Sequence, residues 1–118
     1  MTARTTKAIL VERADRIESK EIDGRESVTL SRDPGNDIVV NWRNVSRRHA
    51  VIAGESDGYW ITNLGSRNGT YVNDELVVEP RMLRNLDRIH LGGAESVGWV
   101  FMESAETVRI DARRRTIL

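Results

Sequence analysis

The 118-residue chain contains no cysteine, which excludes disulfide scaffolds, thiolate zinc sites and thiol nucleophiles together. It has only two histidines, so a metal site would have to be built mostly from carboxylates, and no spacing in the sequence suggests one. Apolar runs stop at four residues, too short for a membrane-spanning helix. The start MTARTTK has no apolar stretch of the kind that export signals carry, which points to a cytoplasmic setting. Charge of one sign is also missing: 18 Lys and Arg balance 18 Asp and Glu, which argues against general nucleic-acid binding. No Walker loop, dinucleotide-binding glycine motif, HExxH or nucleophile elbow is present.

What is present is one domain's worth of chain, long enough to bury roughly two-thirds of its unfolded surface without metal or disulfide support. The chain reads as all-β. Short apolar runs recur between Gly, Asn, Asp and Pro, with no sustained helical stripe. The pattern predicts strands at 8–13, 17–22, 27–31, 37–40, 49–53, 59–63, 70–72, 76–78, 88–91 and 97–102. Alternation is clearest at Val28/Leu30, Ile38/Val40 and Val97/Trp99/Phe101, as half-buried strands require. Closely spaced short strands of this kind suggest a two-sheet sandwich. Turn chemistry fits the breaks. Asp23-Gly24 can join two strands, Asp33-Pro34-Gly35-Asn36 suits a type II turn, and Asn73-Asp74 suits a two-residue hairpin loop. Asn68-Gly69 is a further strong turn signal.

The last residues, ETVRIDARRRTIL, alternate weakly and stop inside a second apolar run. They divide the chain into a domain at 1–105 and a tail at 106–118 that reads as the start of a following domain. The tail resembles the opening strands of winged-helix regulators, which would confine any nucleic-acid contact to that downstream part.

Chemistry concentrates between Ser31 and Asn73. Of the 18 basic residues, 16 are Arg, a side chain suited to two-pronged contacts with phosphate or carboxylate; genome composition is the plainer explanation of the bias. Arg43, Arg47, Arg48 and His49 fall in a stretch, 41–54, that holds no acidic residue. Loops around Arg32 and around Arg67-Asn68 add more Arg and short polar side chains. Loops gather at the ends of a sandwich, so the three can converge into a seat for a phosphate dianion.

The runs SRDPGNDI, VSRRHA and LGSRNGTYVN, followed by a Leu-x-x-x-Asp-x-Ile-x-Leu-Gly stretch at 83–92, resemble a forkhead-associated (FHA) domain over about residues 8–103. The resemblance implies an all-β, two-sheet β-sandwich of about eleven strands that binds phosphothreonine peptides and catalyses nothing. It implies no cofactor, no membrane, and as partner a phosphothreonine-containing protein written by a Ser/Thr kinase. By position, Arg32, Ser46, Arg47 and Arg67 match the phosphate contacts, and Asn68 the residue that holds the peptide backbone. Asn44 falls where the family often reads a side chain three residues beyond the phosphothreonine. His49, Gly69, Thr70 and Asn73 match residues that brace the loops.

Four features depart from the family pattern. Ser31 stands where Gly usually precedes the Arg, Leu86-Asp87 where Gly-Asp is usual, and Asn63 where Asp is common. Trp42-Arg43 sits in a loop that is usually acidic or small, with Trp42 able either to meet peptide or to cover the sandwich end. The Ser31 departure motivates an alternative reading as a phosphate-independent interaction or oligomerisation module. A hydrolytic triad of Ser46, His49 and Asp37 is the enzymatic alternative, disfavoured because Ser46 and His49 lie three residues apart on a loop entering a strand.

Overall fold

The computed structural model describes residues 8–12, 19–22, 26–93 and 98–103. These form eleven strands and no helix. Six make one sheet, in the order β2-β1-β11-β10-β7-β8: Ser19–Ile22, Ala8–Glu12, Gly98–Glu103, Arg88–Leu91, Thr70–Val72 and Glu75–Leu76. Five make the other, in the order β4-β3-β5-β6-β9: Ile38–Val39, Ser27–Ser31, Ala50–Glu55, Gly58–Asn63 and Arg81–Met82. Pairing is antiparallel except between β3 and β4, where Leu30 faces Ile38 and Ser31 faces Val39.

Alternation explains which faces meet. Val28 and Leu30 of β3, Ile52 of β5 and Ile61 of β6 are buried, as are Val72, Ile89, Leu91, Trp99 and Phe101 of the opposite sheet. The sheets are linked at one point by aromatic geometry: the rings of Tyr59 (β6) and Phe101 (β11) meet edge to face, 5.5 Å apart. The Tyr59 hydroxyl donates to the carbonyl of Ile22 in β2 (3.1 Å), so this buried phenol is satisfied across the sandwich.

Strands β3, β7 and β10 occupy the residues that the pattern assigned. Others shift at their ends: β5 starts at Ala50 rather than residue 49, β4 keeps only Ile38–Val39, and β8 is Glu75–Leu76 rather than 76–78. The β9 strand was not anticipated, because two residues after Pro80 give no period to read. Asn73 (φ 52°) and Asp74 (φ 70°) form the expected hairpin loop, both with the positive φ of a type I′ turn. The Asp33–Asn36 turn is not type II, since Gly35 avoids positive φ. Its Asp33 carboxylate instead accepts the Gly35 N–H (3.2 Å), while Asn36 N–H donates to the Asp33 carbonyl (3.2 Å). The Asp23-Gly24 turn, Val97 and the tail lie outside the described residues.

Candidate functional site

Strands β3, β5, β6 and β7 deliver three loops to one end of the sandwich. Two backbone bonds tie the first loop to the second: Arg32 N–H donates to Ser46 O (2.9 Å) and Asp33 N–H to Arg47 O (3.4 Å). The third joins through Arg67 N–H, which donates to Ser46 Oγ (3.0 Å), and through Asn68 Nδ2, which donates to Asn44 O (3.0 Å). Ser46 is thus the meeting point of all three.

Behind Ser46 stands His49, fully buried. Its Nδ1 accepts the Ser46 N–H (3.0 Å), which requires the proton to be on Nε2, and Nε2 donates to Gly69 O (2.8 Å). Burial holds the imidazole below the usual histidine range, against the smaller opposing effect of the Gly69 bond, and so keeps it neutral. The His49 backbone N–H donates to Ser31 Oγ (2.9 Å). Ser31 therefore does not distort the loop that follows it. The side chain is buried at the end of β3 without positive φ, and its hydroxyl holds the root of the second loop.

The third loop has its own brace. Asn63 Oδ1 accepts from Ser66 Oγ (2.6 Å) and from Thr70 Oγ1 (2.8 Å), and Ser66 Oγ accepts the Gly69 N–H (3.0 Å). Gly69, rather than Asn68, takes the positive φ (90°) of this turn.

The loops enclose a depression of about 290 Å³. Arg32, Ser46, Arg47, Arg67, Asn68 and Asn44 all line it, so the six residues matched to ligand contact come together. Arg43 and Val45 line it as well. Arg43 was legible only as part of the acid-free Arg-rich stretch, and Val45 gave no signal beyond its apolar type. Of the four supporting residues, His49, Gly69 and Thr70 brace the loops directly. Asn73 sits elsewhere: it donates to Asp87 Oδ1 (2.8 Å) and accepts the Arg88 N–H (2.9 Å), fixing the turn before β10. Trp42 is 45% exposed and is not part of the lining, nor is Arg48.

Four guanidinium groups and no carboxylate face this space, and among the described residues none of the four is in an ion pair. The arrangement has the charge and the donors that an anion requires. It is not a hydrolytic triad. His49 meets the backbone of Ser46 rather than its hydroxyl, and the Asp37 carboxylate accepts from Thr29 N–H (3.0 Å) and Thr29 Oγ1 (3.1 Å) instead.

The FHA domain profile matches residues 24–92. The chain belongs to the FHA domain family. FHA domains are phosphothreonine-binding signalling modules, and this chain is of that class. It is similar to the oxoglutarate dehydrogenase inhibitor of Corynebacterium jeikeium, 36% identical over 84 residues, which are 71% of this chain and 58% of that protein. It is also similar to the glycogen accumulation regulator GarA of Mycolicibacterium smegmatis, 33% identical over 71% of this chain and 52% of GarA. The chain thus spans little more than half the length of these relatives. Among solved structures, Mycobacterium tuberculosis EmbR in complex with a low-affinity phosphopeptide superposes with a TM-score of 0.70 at 30% identity, over 81% of this chain and 24% of EmbR. The FHA domain of CT664 from Chlamydia trachomatis shares the fold, with a TM-score of 0.71 at 23% identity over 84% of this chain and 97% of that one.

Proposed function

We propose that this FHA domain uses Arg32, Ser46, Arg47 and Arg67 to bind the phosphate of a phosphothreonine in a cytoplasmic protein marked by a Ser/Thr kinase. The observation that carries the reading is the state of Ser46. Its oxygen already accepts the Arg67 N–H, so its own proton is available to an acceptor in a space ringed by guanidinium groups. A phosphate dianion supplies acceptor oxygens and charge; a water or an amide does not match the charge. Asn68 and Asn44, already bonded to each other, present amide groups to the peptide backbone and to a residue downstream.

A few charge-assisted bonds at ~1.5–3 kcal/mol each, less the cost of ordering the peptide, correspond to roughly micromolar affinity. Calorimetry with a phosphothreonine peptide and its unphosphorylated twin tests the reading. Arg32→Ala and Ser46→Ala each weaken the phosphorylated form at least ~tenfold, with the thermal transition retained. Equal affinity for the two peptides defeats it. Ser31, the motive for a phosphate-independent module, fits within β3 and supports the rim, so no observation favours that second reading.

A further inference from the structure

Asn68, the residue matched to the peptide backbone, is followed by glycine, and this is the chain's single Asn-Gly pair. That pair is chemically labile. A side-chain amide followed by a residue without Cβ is open to attack by the next main-chain nitrogen with little steric hindrance. The Gly69 nitrogen loses its proton and bonds to Asn68 Cγ, while the Cγ–Nδ2 bond breaks and ammonia leaves. Water then opens the cyclic imide that remains. Opening at Cγ gives aspartate, and opening at the main-chain carbonyl gives isoaspartate, whose main chain is a methylene longer. The sequence of steps consumes only water.

The fold restrains both partners of this ring closure. Gly69 is buried, and its N–H donates to Ser66 Oγ (3.0 Å), a hydroxyl that itself donates to Asn63 Oδ1 (2.6 Å). The Gly69 carbonyl accepts from His49 Nε2 (2.8 Å) and from the Gly92 N–H (2.8 Å). The main chain of Gly69 is therefore pinned on either side. The Asn68 amide is held in turn, donating to Asn44 O (3.0 Å). Closure requires the Gly69 nitrogen to give up its proton and the Asn68 amide to swing onto it, so both bonds open first. Solvent has access to the product, because Asn68 is exposed and walls two surface depressions.

We propose that Asn68 is a self-modification site, deamidated through Gly69, and that the bond from Gly69 N–H to Ser66 Oγ sets its rate. The consequence for ligand rests on the phosphothreonine reading. A carboxylate at position 68 cannot donate to Asn44 O, and the facing oxygens repel, so the third loop loses its side-chain tie to Asn44. The same carboxylate enters a space lined by Arg32, Arg43, Arg47 and Arg67, where it pairs with a guanidinium and opposes an incoming phosphate. The domain thus carries an irreversible off-switch, timed by how often its third loop opens.

The test incubates the purified domain at mildly alkaline pH, folded and in guanidinium chloride. Peptide mapping follows each asparagine for the mass gain of amide-to-acid conversion and for isoaspartate. In the folded wild type, conversion concentrates at Asn68 and runs slower than in the unfolded chain. Ser66→Ala removes the acceptor of the Gly69 N–H and speeds conversion at Asn68 roughly fivefold or more. If that variant does not fold, wild type in graded sub-denaturing guanidinium replaces it, with the Asn68 rate rising before the global transition. The acidic fraction, separated by ion exchange, keeps its thermal transition but binds a phosphothreonine peptide at least ~tenfold more weakly than fresh protein, as does Asn68→Asp. Folded protein that never converts at Asn68, conversion that favours another asparagine, or a rate that Ser66→Ala leaves unchanged overturns the proposal. So does an acidic fraction that binds like fresh protein. Fresh protein that ignores the phosphate defeats the underlying reading instead, and the chemistry at Asn68 is then judged by its rates alone.

Discussion

Lowering the pH should loosen the binding rim through His49, and the structure fixes both the sign and the route. The folded state holds this imidazole neutral because Nδ1 is occupied by the Ser46 N–H and the ring is buried. The unfolded chain has no such constraint and takes up its proton near the ordinary histidine value of about 6.5. Above that value both states are neutral, and the residue makes no pH-dependent contribution. Below it the unfolded state binds the extra proton, so stability falls as pH falls, and levels off once the lowered folded value is passed. Protonating Nδ1 in the folded state would set a second donor against the Ser46 N–H and dislodge the residue at the centre of the site. Replacement by Ala removes the ring altogether, leaving a part-buried N–H without an acceptor and a cavity behind Ser46. The cost is roughly 3–5 kcal/mol. Urea denaturation between about pH 7.5 and about pH 5 checks this, with wild type and His49→Ala compared to cancel the carboxylates. The wild type loses stability below about pH 6.5 more steeply than the variant. A wild-type profile parallel to the variant's, or nitrogen chemical shifts that place the proton on Nδ1, would refute the argument.

Two further substitutions probe the departures from the family pattern. Ser31→Ala leaves the buried His49 N–H without its acceptor and lowers stability by about 1–3 kcal/mol; an unchanged urea midpoint would show that the bond contributes nothing. Leu86 occupies the left-handed region (φ 73°) while 60% exposed, so Leu86→Gly relieves backbone strain at little loss of packing. It raises stability by about 0.5–1 kcal/mol after the added freedom of the unfolded chain is counted, and a lower melting temperature would contradict it.

Much of this architecture is legible in the sequence where local signals agree. Strand β3 shows alternation bounded by polar turns, and β7 and β10 sit between unambiguous turn residues, so their limits coincide with the pattern. The short edge strands are less legible. Pairing with a neighbour defines β8 and β9, and no periodicity of their own marks where they start. The Pro-Gly turn misleads because the Asp33 side chain, rather than glycine's conformational freedom, organises it. At the site, the motif residues mark side chains that the fold brings to one depression, yet motifs are silent on how Ser31 is accommodated. Its hydroxyl reaches the His49 N–H across 18 residues of chain, a contact that exists only after β3 and the second loop are brought together. The depression on the far side of the Arg67-Asn68 loop, edged by Leu76 and Val78, is hidden for a similar reason. Val77 turns inward while Leu76 and Val78 turn out, and only the fold places those two beside the Arg67-Asn68 loop.

The bonds between Arg32 and Ser46, and between Asp33 and Arg47, run from main chain to main chain. Any amino acid but proline could supply the donors, and any at all the acceptors. The guanidinium groups that crown the loops are consequently ornaments on a frame that does not need them. Evolution can exchange Arg43 for another side chain, and so alter what the rim accepts, without rebuilding the socket in which the new contact has to work.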